Sequence, residues 1–199
     1  MLLSKKIELS WQNLTTLPNV LTYLRMATIP LIMALLIPPT SELWLNLAFV
    51  VFVLASLTDY LDGILARRRN TVTSIGKLLD PLADKLLTSA VLIMLIPHGK
   101  VEAWLVWLIL GREIIITGLR LIALGQGLII NASRMGKNKM LSQTLAFYCL
   151  LPSIPQYQHT LDMTGTLFLW ISVLFGYISA LDYFISFYKE AKKREQPIN

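Results

Sequence analysis

Cysteine is nearly absent. Cys149 is the one thiol in 199 residues, and it sits inside an apolar run. A single thiol excludes an intrachain disulfide and any cysteine-based metal site. It reads as a small residue facing core or lipid. Histidine is almost as scarce: His98 and His159 are the two present. Both fall in segments read as outer loops, which leaves the zinc ligand sets without donors. Charge is scarce as well, at 15% of residues against 55% hydrophobic, and mean hydropathy is +0.59. Such a chain is too apolar for an ordinary soluble domain and predicts an all-α, polytopic membrane protein. There is no internal repeat, low-complexity tract or run of heptads, so repeat arrays and coiled coils drop out.

What is there is a series of long apolar segments, with room for about six spans of ~20 residues. The pattern predicts spans from about Asn19 to Ile37, Leu43 to Leu65, Leu78 to Pro97, Ala103 to Leu124, Met140 to Ile154 and Thr164 to Tyr188. Pro38-Pro39 stops the first, and Pro81 is expected in the first turn of the third, where a missing N–H is tolerated. Residues 1–18 are too polar to span. Leu2, Leu3, Ile7, Trp11, Leu14 and Leu17 recur at helical intervals with Lys5, Lys6 and Glu8 between them, as in an amphipathic helix lying at the membrane interface. No secretory signal pattern is expected there. The organisation is thus an interfacial helix over 1–18, a six-span domain over 19–188 and a basic cytoplasmic tail over 189–199.

Loop charge sets the orientation. With the N-terminus inside, the inner segments hold Lys5, Lys6, Arg67, Arg68, Arg69, Lys77, Arg134, Lys137, Lys139, Lys189, Lys192, Lys193 and Arg194, and the outer loops hold Lys100. The positive-inside rule then places both termini in the cytoplasm. The net charge of +6 follows from those loops and is no sign of a nucleic-acid partner. Trp44, Trp104 and Tyr188 near span ends read as interface anchors.

Against this background one cluster stands out: Asp59-x-x-Asp62-Gly63-x-x-Ala66-Arg67, then Gly76-x-x-x-Asp80-x-x-x-Asp84. An Asp at the centre of a spanning helix costs roughly 2.5–3.5 kcal/mol to insert, so an intramembrane group of them is a functional site by default. On helices, residues three or four apart share a face. Two such helices side by side bring four carboxylates to one place, and their repulsion calls for a cation. Oxygen ligands without His or Cys suit Mg²⁺ or Mn²⁺. The plainer reading is a solvated acidic face paired with Arg67, Arg68, Arg69, Lys77 and Lys85, but salt bridging does not require small residues at fixed offsets. Gly63, Ala66 and Gly76 remove bulk beside the carboxylates, where a phosphate or ribose could approach the backbone.

These residues closely resemble the signature of the CDP-alcohol phosphatidyltransferases, D-x-x-D-G-x-x-A-R-x(n)-G-x-x-x-D-x-x-x-D, with every fixed position present. The resemblance implies a membrane enzyme that passes the phosphatidyl group of CDP-diacylglycerol to an alcohol and releases CMP. It implies that Asp59, Asp62, Asp80 and Asp84 hold the metal and that Asp84 also acts as catalytic base. It implies that Gly63, Arg67 and Thr73 contact the nucleotide diphosphate, with Ala66 and Gly76 close by and with Asn19, Thr22 and Arg25 lining the same pocket. It further implies a homodimer in a bacterial inner membrane, with the active site on the cytoplasmic side.

Two further stretches, Pro18-Asn19-Val20-Leu21-Thr22-x-x-Arg25 and Arg112-Glu113-Ile114-Ile115-Ile116-Thr117-Gly118-Leu119-Arg120 followed by Gly136-Lys137-x-Lys139 and Gln143, are similar to those members whose acceptor is sn-glycerol 3-phosphate. Arg112 and Arg120 are eight residues apart, about 12 Å along a helix. With Lys137 and Lys139 they form the expected acceptor-phosphate pocket. Glu113 as partner to a neighbouring cation, and Arg120 as a snorkelling anchor, are the plainer readings. Phosphatidylglycerol, inositol phosphate and serine stand as alternative acceptors. A carboxylate-lined cation transporter is the alternative of another class, but transport sites usually lie near the midplane, whereas these aspartates sit at the cytoplasmic ends of spans two and three.

Overall fold

The computed structural model describes residues 17–69, 76–128 and 134–195, and among them every regular element is helical. The helices are α1 (Leu17–Leu35), α2 (Glu42–Arg69), α3 (Gly76–Leu95), α4 (Ala103–Gly125), α5 (Arg134–Leu150) and α6 (Gln158–Glu195), with a 3-10 turn at Pro155–Tyr157 before the last. The all-α expectation holds. The interfacial helix expected over 1–18 lies outside the described residues, save for Leu17 and Pro18, which open α1. One described helix, running with its 3-10 turn from Pro155 to Lys192, is long and apolar enough to cross a membrane. Thr22–Leu35 and Glu42–Thr58 are shorter apolar stretches.

The chain forms two compact units. The first contains α1–α3 together with Leu151–Ser153. In it α1 packs against both α2 and α3. Each helix buries one stripe: Ile32 and, just past the end of α1, Leu36; Ala48, Phe52 and Ala55 on α2; Ala83, Leu87 and Val91 on α3. Those intervals of three and four residues are the period of one helical face. Asn46 on α2 clasps the returning segment at both ends of its amide. Its Oδ1 accepts from Ser153 N at 2.9 Å, and its Nδ2 donates to Ser153 O at 3.0 Å.

The second unit contains α4–α6. Here α5 lies along α6, and α4 packs on α6 as well. The approach of α5 to α6 depends on Gly165. A Cβ there would fall 2.5 Å from Leu150 Cγ and 3.2 Å from Ala146 O, so any larger residue would push the helices apart. Helix α4 ends in a Schellman turn. Leu128 N donates to Ala123 O at 2.8 Å and Gly127 N to Leu124 O at 2.9 Å. Gly127 takes φ +68°, a conformation that glycine adopts without a Cβ penalty. Leu128 and Ala123 are both buried there.

Element ends differ from the hydropathy reading for physical reasons. Helix α5 starts at Arg134, ahead of the expected Met140, and stops at Leu150 rather than Ile154. Pro152 and Pro155 disfavour helix in the residues before them. Helix α6 runs on through Glu195, into the segment read as a tail. Lys, Glu and Ala there are good helix formers, and a helical ladder continues past the apolar portion. At 38 residues, α6 is about 57 Å long, well beyond a ~30 Å hydrocarbon core. Pro81 lies past the first turn of α3, so it removes one ladder hydrogen bond instead of occupying a cost-free position.

Candidate active site

The aspartate motif falls on two continuous helices. Asp59, Asp62, Gly63, Ala66 and Arg67 lie on the last part of α2, and Gly76, Asp80 and Asp84 on the first part of α3. Unbroken helix makes the spacing argument concrete. The first pair of aspartates is offset by about 4.5 Å along its axis and the second by about 6 Å, each on one face. The side chains of residues 59–69 and 76–80 are outside the description, as is Thr73. Among the described residues no three His, Cys, Asp or Glu side chains gather, and that set includes Asp84 alone of the four aspartates. Asp84 is half-buried, and its backbone carbonyl accepts from Thr88 Oγ1 at 3.0 Å. An all-oxygen donor set on two helix faces fits a hard divalent cation.

Helix α1 contributes the other polar residues of this unit. Thr22 and Arg25 are 2% and 5% exposed, and they sit three residues apart on the helix that packs against both aspartate-bearing helices. A buried guanidinium requires anionic or dipolar company, and the motif helices carry the anions. The side chain of Asn19 is outside the description.

The expected acceptor residues divide. Arg112 on α4 donates from Nε to Gly176 O at 2.9 Å and from Nη1 to Glu113 Oε1 at 2.6 Å. Lys139 on α5 donates from Nζ to the same Glu113 oxygen. The three side chains are 10%, 14% and 21% exposed for Arg112, Lys139 and Glu113. Arg120 stands apart from them, with its guanidinium 5.6 Å from the centre of the Tyr183 ring, a cation–π contact. Lys137 is exposed. The structure therefore brings two of the four cations together on Glu113, the carboxylate that the plainer reading of the sequence makes a partner to a neighbouring cation.

A cleft lies at this cluster, lined by Leu108, Ile109, Arg112, Glu113, Lys139, Ser172, Val173, Gly176 and Tyr177. Counted out to its open mouth it measures about 180 Å³. Ser172 is 1% exposed, and its hydroxyl has no hydrogen-bond partner. Gly176 lies against both cations: a Cβ there would stand 3.5 Å from Lys139 Cγ and 3.8 Å from Arg112 Nε, in ordinary contact with each. Glu113, Ser172 and Gly176 were not among the expected site residues. Glu113 had a usable signal, since a lone carboxylate in an apolar span must find a cation.

Helices, some carrying buried charge and one long and apolar enough to cross a membrane, with an acidic motif in sequence on two others, define an all-α protein among the described residues. The family model for CDP-alcohol phosphatidyltransferases matches residues 15–178. The chain belongs to the CDP-alcohol phosphatidyltransferase family, whose members are membrane enzymes that use divalent metal ions. It is 38% identical over 181 residues to a Bacillus subtilis protein named CDP-diacylglycerol–glycerol-3-phosphate 3-phosphatidyltransferase, covering 84% of this chain and 93% of the relative. A Rickettsia bellii protein of the same name is 41% identical over 169 residues, with the same coverage of both chains. A CMP-forming cardiolipin synthase of Streptomyces coelicolor is 40% identical over 103 residues, 49% of this chain and 46% of the relative.

Proposed function

We propose that this enzyme transfers the phosphatidyl group of CDP-diacylglycerol to sn-glycerol 3-phosphate, giving phosphatidylglycerophosphate and CMP. The observation that carries the reading is the pair of relatives bearing that activity in their names and aligning over 84% of the chain. The similarity to the cardiolipin synthase spans about half of it.

In this reading the acceptor's hydroxyl oxygen attacks the phosphorus bearing the diacylglycerol. The phosphoanhydride bond to CMP breaks, CMP departs with the electron pair, and the hydroxyl proton passes to Asp84. Asp59, Asp62, Asp80 and Asp84 would hold Mg²⁺ or Mn²⁺, which when bound would offset charge on the pyrophosphate and lower the hydroxyl pKa. Arg67 offers a two-pronged donor to phosphate. Gly63, Ala66 and Gly76 leave room for the nucleotide, with Asn19, Thr22, Arg25 and Thr73 beside it. Arg112 and Lys139 receive the acceptor's phosphate, while Arg120 and Lys137 add positive charge near the inner interface.

The protein sits in the bacterial inner membrane as a six-span homodimer, with both termini and the aspartates facing the cytoplasm. Exposed apolar residues support the membrane setting. Trp107, Ile114, Ile115, Leu121 and Ile122 on α4, and Leu54 and Leu57 on α2, are all largely uncovered, more apolar surface than a soluble monomer carries.

The test supplies purified protein with CDP-diacylglycerol and one acceptor at a time: glycerol 3-phosphate, phosphatidylglycerol, inositol phosphate, serine. CMP release with glycerol 3-phosphate is expected. Release with phosphatidylglycerol alone would leave the aspartate chemistry standing and overturn the acceptor.

A further inference from the structure

Arg112 and Lys139 converge on one oxygen, Glu113 Oε1. This occupies them in a way that conflicts with simple phosphate binding. Arg112 presents two forks to an oxyanion, Nε with Nη2 and Nη1 with Nη2. Nε is held by Gly176 O and Nη1 by Glu113, so neither fork is open. Nearly all of the cleft's volume is its open mouth, and the enclosed part beside the two cations has room for about one water molecule. A phosphate enters only if a side chain withdraws.

Charge and exposure identify which one. Two cations face one carboxylate, so the cluster carries one excess positive charge. A phosphate dianion would balance both cations once the carboxylate has gone, whereas with the carboxylate still in place the cluster would be left negative. Glu113 is also the most exposed of the three, at 21%, so it has the shortest way out. The same cleft holds the buried Ser172 hydroxyl, which has no partner and therefore has a hydrogen bond to give. Buried hydroxyls are costly when left unsatisfied.

We propose that Glu113 is a displaceable counter-anion. Its carboxylate fills the place taken by the acceptor's phosphate, which drives it off Arg112 and Lys139 and accepts a hydrogen bond from Ser172. Glu113 is thus a positioning residue that keeps the two cations charged, desolvated and gathered between turnovers, and it sets the affinity for the acceptor by competing with it. The inference rests on the assignment of Arg112 and Lys139 to the acceptor phosphate.

The test uses full-length enzyme in lipid nanodiscs, with inorganic phosphate as an inhibitor competing against glycerol 3-phosphate. Glu113→Gln is expected to lower the inhibition constant of inorganic phosphate about tenfold, the reverse of losing a charge-assisted contact, and to leave KM for CDP-diacylglycerol unchanged. Ser172→Ala in that background is expected to raise the constant again by several-fold. An unchanged or raised constant in Glu113→Gln overturns the proposal, since a residue that merely orients the cations would weaken phosphate binding on removal. If that variant does not fold, Glu113→Asp decides by the same rule, because it keeps the charge but shortens its reach. Lys139→Gln separates the two readings. If it moves neither the phosphate constant nor KM for glycerol 3-phosphate, the acceptor assignment itself fails. If it raises both while Glu113→Gln does not lower the constant, only the counter-anion role fails.

Discussion

Arg112 on α4 donates from Nε to the backbone carbonyl of Gly176 on α6 at 2.9 Å. The acceptor belongs to the helix backbone, so the head of Arg112 is set by the register between the two helices. Glycine at 176 keeps that approach open, and the stem of Lys139 runs beside it. A methyl group there would make ordinary contacts, at 3.5 Å to Lys139 Cγ. A branched side chain would push both cations away. Gly176→Ala should therefore retain acceptor binding. Gly176→Leu should raise KM for glycerol 3-phosphate roughly 10- to 100-fold, the loss of one charge-assisted contact, with KM for CDP-diacylglycerol little changed. Steady-state kinetics with each substrate varied in turn reads this out, and equal shifts in both constants would place Gly176 in general packing.

Removing any one of Asp59, Asp62, Asp80 or Asp84 by substitution with Ala should reduce CMP release at least ~100-fold, because these groups hold and orient the reacting centre. Insertion should survive, since deleting an intramembrane carboxylate lowers its insertion cost. Chelation by EDTA should abolish turnover, with recovery on adding Mg²⁺ or Mn²⁺. Near-normal turnover in two of the four variants would sink the mechanism.

Asp84→Asn separates proton acceptor from metal ligand. The amide keeps the shape but takes no proton, so CDP-diacylglycerol binding should persist while single-turnover CMP formation collapses. Binding and turnover falling together would make Asp84 chiefly a ligand.

Lys100, in the loop between α3 and α4, gives a prediction about pH. Its Nζ donates to Leu150 O at 2.7 Å. Burial pushes its pKa below the ordinary 10.5, and the charge of Asp162 pulls it part of the way back. The folded form thus binds fewer protons than the unfolded form in the interval between the lowered value and 10.5, so stability rises with pH across that interval. Thermal midpoints in detergent should climb over this alkaline range, and Lys100→Met should flatten the climb. Asp162→Asn, by removing the opposing charge, should steepen it. A midpoint that falls across this range in the wild type, with no change in Lys100→Met, would contradict the assignment.

The helical class and the positions of the helices among the described residues were legible because each apolar run is bounded by Pro or by charge. The aspartate motif was legible because its offsets match a helical period, and α2 and α3 run unbroken through it. The ends of α5 and α6 were not, since hydropathy registers apolarity while the helix follows backbone hydrogen bonding into polar sequence. The cluster around Glu113 was hidden for a different reason. A cation partner for Glu113 was legible as the plainer reading, and Arg112 supplies it, but Lys139 is 26 residues away in sequence and its arrival on the same oxygen depends on packing. Gly176 and Ser172 looked like small residues in an apolar helix. Their meaning depends on which helix lies opposite, and that is a property of packing.

The clasp between Asn46 and Ser153 has a consequence for biosynthesis. Residues Leu151–Ser153 belong to the unit built from α1–α3, yet they are synthesised after α4 and α5. Until they emerge, the amide of Asn46 lacks both of its backbone partners. The first unit therefore cannot reach its final hydrogen bonding while its own helices are being made. It closes late, with only α6 and its 3-10 turn still to come. A nascent chain arrested just before Ser153 would already hold α1–α5, with the half-buried amide of Asn46 left to water in place of its backbone partners.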